Sequence, residues 1–242
     1  MTAHARAAAD SIRDYVHRRR VARLYDGRDY LDAYAAHTDL RVRTDGADEA
    51  IGGMWDEIGR LQFEFLKAEG LAPGDRLLDV GCGSLRGGRH FIRYLDAGRY
   101  VGVDISEGVL GAARDLVARE GLAGKRPLLL LSADKRLTFS EAAASGAGPF
   151  DVLLAQSVFT HLMPEHIAEG FQNLHRVLAP GGAFYFTFFE GEHRRKTVKG
   201  FAQPFAFYEG LAERDGYRVE RVSAGAYPHP RGQKMVRLTA RP

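Results

Sequence analysis

The stretch "LLDVGCGSLRGG", residues 77–88, sets an aspartate, Asp79, two positions ahead of Gly81, with Cys82 and Gly83 completing a nearly bare turn. An apolar run that ends in such a turn reads as a parallel strand leaving the carboxyl end of a sheet, where open α/β folds bind ligands. Glycines let the backbone pass close beneath a ligand, and the helix that comes next offers free N–H groups to a carboxylate or phosphate. Nicotinamide and flavin sites use the same device, but the G-x-G-x-x-G spacing counted from Gly81 requires glycine where this chain has Arg86. Asp104 closes the run "YVGVDIS", at the distance from the glycine turn where an acid accepts hydrogen bonds from both hydroxyls of a ribose. Its structural alternative is a helix N-cap, a role Ser106 fills equally well. These residues together describe a nucleoside-bearing ligand held on a strand edge.

Residues placed in this way need a parallel sheet behind them. From Arg76 onward short apolar runs alternate with helical ones: "RLLDVG", "YVGVDIS", "PLLLLSAD", "FDVLLAQS" and "AFYFTFFE" read as strands, and "YRVERVSA" and "KMVRLTA" as two more. Between them, "GGRHFIRYLDAG" reads as a helix ending at Gly98, succeeded by the helices "EGVLGAARDLVAREGL", "PEHIAEGFQNLHRVLAPGG" with a Pro-Gly-Gly exit, and "FYEGLAERDGY". Right-handed crossovers then put helices on both faces of the sheet. Upstream, Ala5 to about Leu24 reads as a polar helix and "RDYLDAYAAHTDL" as a second short one, with Arg41–Gly53 as a turn-rich linker. "MWDEIGRLQFEFLKAEGL" spaces Trp55, Ile58, Leu61, Phe65 and Leu66 at helical intervals, with Gly70 as the stop.

Composition narrows the class. The 242 residues, 45% hydrophobic, suit one α/β domain with an appended segment. No run of about 18 apolar residues occurs, and the start has no signal-peptide order, so a cytoplasmic protein is expected, with no membrane partner. The lone Cys82 excludes an intramolecular disulfide framework and a multi-cysteine zinc site. A net charge of +3 arises from 34 basic and 31 acidic residues, so charge does not single out nucleic acid as a partner. Two basic clusters, His17–Arg23 and Glu190–Gly200, bind phosphates or simply form solvated surface; neither is interleaved with stacking aromatics.

The order of "LLDVGCGSLRGG", "VGVDIS", "SAD", "FDVLLAQSVFTHL" and "LAPGGAFYF" resembles class I S-adenosylmethionine-dependent methyltransferases over about residues 60–242. The resemblance implies a Rossmann-like, seven-stranded, mostly parallel sheet whose last strand is inserted antiparallel. It implies that residues 1–60 form a helical lid on a cofactor domain spanning 61–242. S-adenosylmethionine is the implied cofactor: Gly81, Cys82 and Gly83 along its methionine portion, Asp79 near its amino group, Asp104 on the ribose, Ile105 on the adenine, Asp134 or the Ala133 backbone at the adenine amino edge, and Gln156 closing the site. Arg86 departs from the usual glycine turn and either pairs with the cofactor carboxylate or lies exposed on the first turn of the helix.

The acceptor is read from the residues after the fourth strand. "AQSVFTHLMPEH" lacks the Asn/Asp-Pro-Pro-aromatic tetrapeptide of amino-methylating nucleic-acid enzymes and the strand-end aspartate of the magnesium-dependent catechol type. A small molecule methylated without metal, at a hydroxyl oxygen, is the expectation. RNA or protein methylation, or a SAM-binding regulatory module without catalysis, are the alternatives. His161 stands where similar small-molecule O-methyltransferases carry a histidine facing the substrate, and a neutral imidazole suits removal of a hydroxyl proton near pH 7; otherwise it bonds a loop carbonyl or caps the helix at Pro164. Trp55, Tyr30 and Tyr34, with Tyr185 or Glu190 from the fifth strand, are candidate substrate contacts, against core packing for Trp55. His166 and His175 are expected on the surface, and His37, His193 and His229 in loop-like stretches from which each can reach a substrate. A monomer or homodimer is expected.

Overall fold

The computed structural model describes residues 19–241. A helical run over residues 19–25 leads to α1 (Tyr30–Asp45) and the single turn α2 (Ala47–Ala50), so the segment read as a linker from Arg41 is mostly helix. The helix outruns its expected end because Gly46, with φ +90°, supplies the stop three residues beyond the polar "RVR" that had suggested a loop. Asp29 caps its start by accepting from the Leu31 and Asp32 amides. Next come α3 (Trp55–Ala68), β1 (Leu77–Val80), α4 (Gly88–Tyr94), β2 (Tyr100–Asp104), α5 (Glu107–Arg119) and β3 (Leu128–Leu131). The second half contains α6 (Ser140–Ala144), β4 (Phe150–Ala155), α7 (Pro164–Asn173), β5 (Leu178–Phe188), a hairpin of β6 (Arg194–Thr197) and β7 (Gly200–Ala202), α8 (Phe205–Arg214), β8 (Tyr217–Arg221) and β9 (Lys234–Ala240). Helix α4 ends before Gly98 because Leu95 turns extended and buries its side chain. The Pro-Gly-Gly after α7 lies inside β5, where it is taken up as a register shift between Phe150 and Val152 of the neighbouring strand. The basic 190s form the β6–β7 hairpin instead of an open loop.

Seven strands form one sheet in the order β3-β2-β1-β4-β5-β9-β8. The five strands from β3 to β5 are parallel, and β9 enters antiparallel between β5 and β8, as the family resemblance implies. The central strands bury apolar side chains on both sides because helices cover both faces: Leu77, Leu78, Leu153 and Leu154 have no exposed surface. On one face Phe159, Phe171, Phe184, Phe186 and Tyr208 make an aromatic core, with Phe159 and Phe186 centroids 4.6 Å apart. Each such pair adds about 0.5–1.5 kcal/mol beyond its area burial.

Two features fix the N-terminal helices against this frame. Asp39, half-buried on α1, accepts the Gly108 amide at 3.0 Å and the Ser106 hydroxyl, so α1 supplies a carboxylate to the N-terminus of α5. Helix α3 packs directly on the glycine turn, where a Cβ at Gly59 would lie 2.3 Å from the Arg86 carbonyl. Removing the Asp39 carboxylate with Asp39→Ala is expected to cost about 1 kcal/mol, lowering Tm by about 2–4 °C; thermal unfolding of both proteins checks it, and an unchanged Tm counts against the tether.

Candidate active site

The parallel strands end at one edge, and the chain crosses that edge twice within reach of one cleft. After β1, Gly81 (φ +69°) and Gly83 (φ +56°) occupy the left-handed region, which lets the turn fold back under β2. The Gly81 and Cys82 amides both donate to the Val103 carbonyl, at 2.7 and 3.1 Å. The Gly83 amide donates to one oxygen of Asp104 at 2.9 Å and the Ser106 amide to the other at 3.0 Å. Asp104 therefore orders the turn, while Ser106 is the residue that caps α5 through the Val109 amide.

The cleft has a cavity volume of about 310 Å³, within the range of small-molecule sites. Its walls include Asp79, Gly81, Cys82, Gly83 and Arg86 from the glycine turn, Asp104 and Ile105 from the end of β2, and Gln156 and His161 beyond β4. Helix α1 closes it with Leu31, Tyr34, Thr38 and Arg41, and the stretch after α2 with Ile51 and Gly52. Ten sequence-derived candidates thus share one cavity: Tyr34, Asp79, Gly81, Cys82, Gly83, Arg86, Asp104, Ile105, Gln156 and His161.

Five others lie elsewhere. Asp134 is exposed and turned into its own loop, accepting from Thr138, Ser132 and the Arg136 amide, while the neighbouring Ser132 lines the cleft. Tyr185 points to the opposite face of the sheet, where its hydroxyl donates to Glu69 at 3.1 Å and its ring meets Phe65. Trp55 packs against the second core cluster beneath the Arg89 guanidinium, so the core reading holds for it. Tyr30 is buried behind the cleft wall and donates its hydroxyl to the His161 carbonyl at 2.7 Å, leaving the next turn of the helix, Tyr34, to face the cavity. Glu190 is engaged by Arg221 at 2.6 Å.

Burial sets the electrostatics. Asp79 is 3% exposed; desolvation lifts its pKa to about 7 although the Tyr100 hydroxyl donates to it at 2.7 Å. Desolvation likewise raises Asp104 to about 6, against the pull of its backbone hydrogen bonds. Neither carboxylate has a cationic partner within 4 Å among the described residues, so the cleft presents two unpaired acids. Arg86 is 7% exposed and not a surface residue of the first turn: Nη1 donates to the Gly53 carbonyl at 2.8 Å, and Nε has no partner. Opposite charges placed on a ligand, an ammonium and a carboxylate, match this pair of vacant valences, and an amino-acid head group carries both.

His161 donates from Nδ1 to the Lys199 carbonyl, since a carbonyl only accepts, and this leaves Nε2 unprotonated. Its ring stacks on Tyr34 with centroids 5.2 Å apart. Burial first, then the Lys199 and Arg41 charges, hold its pKa down at about 4, so the imidazole is neutral across the working pH range. Sequence reasoning missed His166, Lys199 and Arg231 as wall residues, while His229 reaches the wall from a loop, as expected. His166 is buried against Tyr30 and lines the cleft, although its helix reads as surface; His37 is buried inside α1 and meets the Tyr25 hydroxyl. His229, with Gln233, comes from the connection before β9 and binds Gln156, whose carbonyl accepts from Tyr227 at 2.6 Å. Lys199 and Arg231 also reach the cleft. Their only sequence signals were the basic character of the 190s and the Pro-His-Pro turn, neither of which specifies direction. His175 is exposed, and His193 bonds Gln203 outside the cleft walls.

Residues 78–184 match the model of a methyltransferase domain. An uncharacterized methyltransferase of Synechocystis is 29% identical over 187 residues, covering 74% of this chain and 77% of that one. A ubiquinone biosynthesis O-methyltransferase of Azoarcus is 32% identical over 136 residues, and that alignment covers 54% of this chain and 51% of the relative's length. Among solved structures, magnesium protoporphyrin IX methyltransferase from Synechocystis with bound SAH superposes with TM-score 0.63 at 16% identity, over 88% of this chain and all of that one. A DhpI–SAH complex gives 0.62 at 18%, covering 88% and 97%. Sequence likeness over residues 78–184, the glycine turn and the shared fold together support a class I S-adenosylmethionine-dependent methyltransferase.

Proposed function

We propose that the protein transfers the methyl group of S-adenosylmethionine to a hydroxyl oxygen of a small molecule, without a metal ion, and that His161 is the catalytic base. The observation that carries this reading is the imidazole whose Nδ1 is committed to the Lys199 carbonyl while Nε2 remains an acceptor on the wall shared with the glycine turn. When bound, the cofactor supplies an electrophilic methyl whose C–S bond breaks as the acceptor oxygen bonds to it. The acceptor's hydroxyl proton passes to Nε2 of His161, and the Lys199 carbonyl and Tyr34 ring hold the imidazole in the tautomer and orientation for it. Two facts support a metal-free site: among the described residues no three His, Cys, Asp or Glu side chains converge as a metal centre, and β4 ends at Ala155, followed by Gln156 rather than an aspartate.

The chain's own residues fit each part of the cofactor. Asp79 receives the ammonium and Arg86 the carboxylate of the methionine portion, Gly81–Gly83 run beneath it, Asp104 takes the ribose hydroxyls, and Ile105 packs on the adenine. Because Asp134 faces away, Ser132, Leu137 and Phe139 wall the adenine end in its place. Gln156 is held by Tyr227, His229 and Gln233, which fixes the floor of the cleft. Residues 1–60 serve as the substrate lid on the domain 61–242; Leu31, Tyr34 and Ile51 on the cleft wall support that division, and residues 1–18 lie outside the described residues. The small-molecule acceptors named for similar proteins, ubiquinone precursors and magnesium protoporphyrin, favour a small organic acceptor over RNA or protein. Among the described residues no helix is long and apolar enough to cross a membrane.

Turnover of S-adenosylmethionine against a panel of phenols and alcohols tests the reading, with methyl ethers detected by mass spectrometry. His161→Gln is expected to lower kcat by about 10²–10⁴-fold while calorimetric SAH affinity is retained; a variant as active as the parent removes His161 from the chemistry. The two raised carboxylates give a pH signature. Asp79 binds its proton more tightly folded than unfolded, so from about pH 4 to about pH 7 the ligand-free protein loses stability as pH rises. A cationic ligand selects the ionised form, so S-adenosylmethionine binding strengthens as pH rises through about 7. Asp79→Asn is expected to flatten both trends, read by thermal unfolding and calorimetry between pH 5 and 8; trends unchanged in the variant assign them to another group.

A further inference from the structure

We infer that the acceptor end of the cleft takes a molecule bearing an anionic substituent, a carboxylate or a phosphate, and that the Lys199 ammonium holds it. The inference rests on the methyl-transfer reading above and names the class of acceptor. Lys199 sits in the tip of the β6–β7 hairpin, between Thr197 and Gly200. Its carbonyl is the group that accepts the His161 Nδ1 proton, so the base and the lysine are fixed to each other through the backbone. Its side chain lines the same cleft, with Nζ 5.9 Å from the centroid of the Tyr34 ring, and that ring stacks on His161. Ammonium, aromatic ring and base therefore form one wall.

The charges that face Lys199 come from α1, and they are already committed. Arg41 puts Nε on Asp45 at 3.1 Å, Nη1 on the Ala50 carbonyl at 3.0 Å and Nη2 on the Glu49 carbonyl. Asp45 attracts the ammonium but lies beyond ion-pair distance of it, and among the described residues Lys199 Nζ has no carboxylate within 4 Å and no hydrogen-bond acceptor. Two other cations of the cleft wall are paired: Lys135 with Asp32 at 2.8 Å and Arg136 with Glu169 at 2.9 Å. A half-buried ammonium without a counter-ion is costly, and burial together with the Arg41 charge lowers its pKa to about 8. An anion on the ligand supplies the missing partner.

The same anion assists the base. Lys199 and Arg41 are the charges that disfavour protonation of His161, so neutralising Lys199 with substrate makes Nε2 more basic when the acceptor is in place. The step then balances as before: the acceptor O–H proton moves to Nε2, the O–CH₃ bond forms, the C–S bond breaks, and the anionic substituent is unchanged. Recognition and activation are thus coupled through one lysine.

The test uses the full chain saturated with SAH and titrated calorimetrically with hydroxybenzoates, hydroxyphenyl phosphates and the ring-matched hydroxybenzamides. Wild type is expected to bind an anionic series at least about tenfold more tightly than the amides, and Lys199→Met to lose that preference while SAH affinity holds. Lys199→Arg is expected to keep most of it, and the tighter of the two series identifies carboxylate or phosphate. A wild type that binds SAH but favours no anion over the amides, or a Lys199→Met protein that keeps the preference, overturns the inference. Failure to bind SAH overturns the methyl-transfer reading itself, so the two failures are distinct.

Discussion

The site depends on a single crossing of backbone at the carboxyl edge of the sheet. The turn after β1 satisfies its amides on the end of β2: two go to the Val103 carbonyl and one to the Asp104 carboxylate. That arrangement needs left-handed backbone at Gly81 and Gly83, and it needs the two strands to be neighbours in parallel register, with Val80 opposite Val103. It also explains why two acids stay unpaired in a poorly solvated cleft. Asp104 is stabilised by amides and not by a cation, so its charge remains available to a ligand, at the cost of a raised pKa.

Around this crossing the remaining elements act as supports of differing kinds. Helix α3 backs the turn by close packing at Gly59 and Gly87, with Gln62 against the latter. Helix α1 is tied to the same strand end through Asp39 on the first turn of α5. From the far side of the sequence, Arg231 donates to the Gly52 carbonyl while Arg86 holds that of Gly53, so the stretch after α2 is gripped by two guanidinium groups. The cleft is therefore a joint product of segments separated by most of the chain.

Legibility in the sequence tracks the range of the interactions involved. Strand identities and the glycine turn after β1 depend on local periodicity and on spacings within some thirty residues, and these are legible in the primary pattern, whereas the inserted last strand is implied only by the family resemblance. Asp134 and Tyr185 escape that pattern for a different reason. Asp134 sits in the expected loop, but the left-handed Lys135 beside it turns the carboxylate onto Thr138; Tyr185 alternates onto the other face of β5, a parity the aromatic run "FYFTFF" conceals. Lys199, His229 and Arg231 reach the cleft only through long-range packing of hairpin and loop, for which a lone sequence has no counterpart. Helix α1 is longer than its pattern suggests because its last turn, Arg41–Asp45, buries no apolar side chain and so leaves no apolar stripe to read.

The insertion of β9 has a consequence for how the molecule is made. The strand that comes last of the seven in sequence does not sit at an edge; it fills the gap between β5 and β8 and pairs with Phe184 and Phe186 through Leu238 and Val236. During synthesis the parallel half can assemble as it leaves the ribosome, while β5 waits with an unpaired, strongly apolar margin. Only when Lys234–Ala240 emerges is that margin covered, and the same event brings His229 and Gln233 beneath Gln156. A nascent chain therefore stays adhesive, and without a finished cleft floor, until Lys234–Ala240 has left the ribosome.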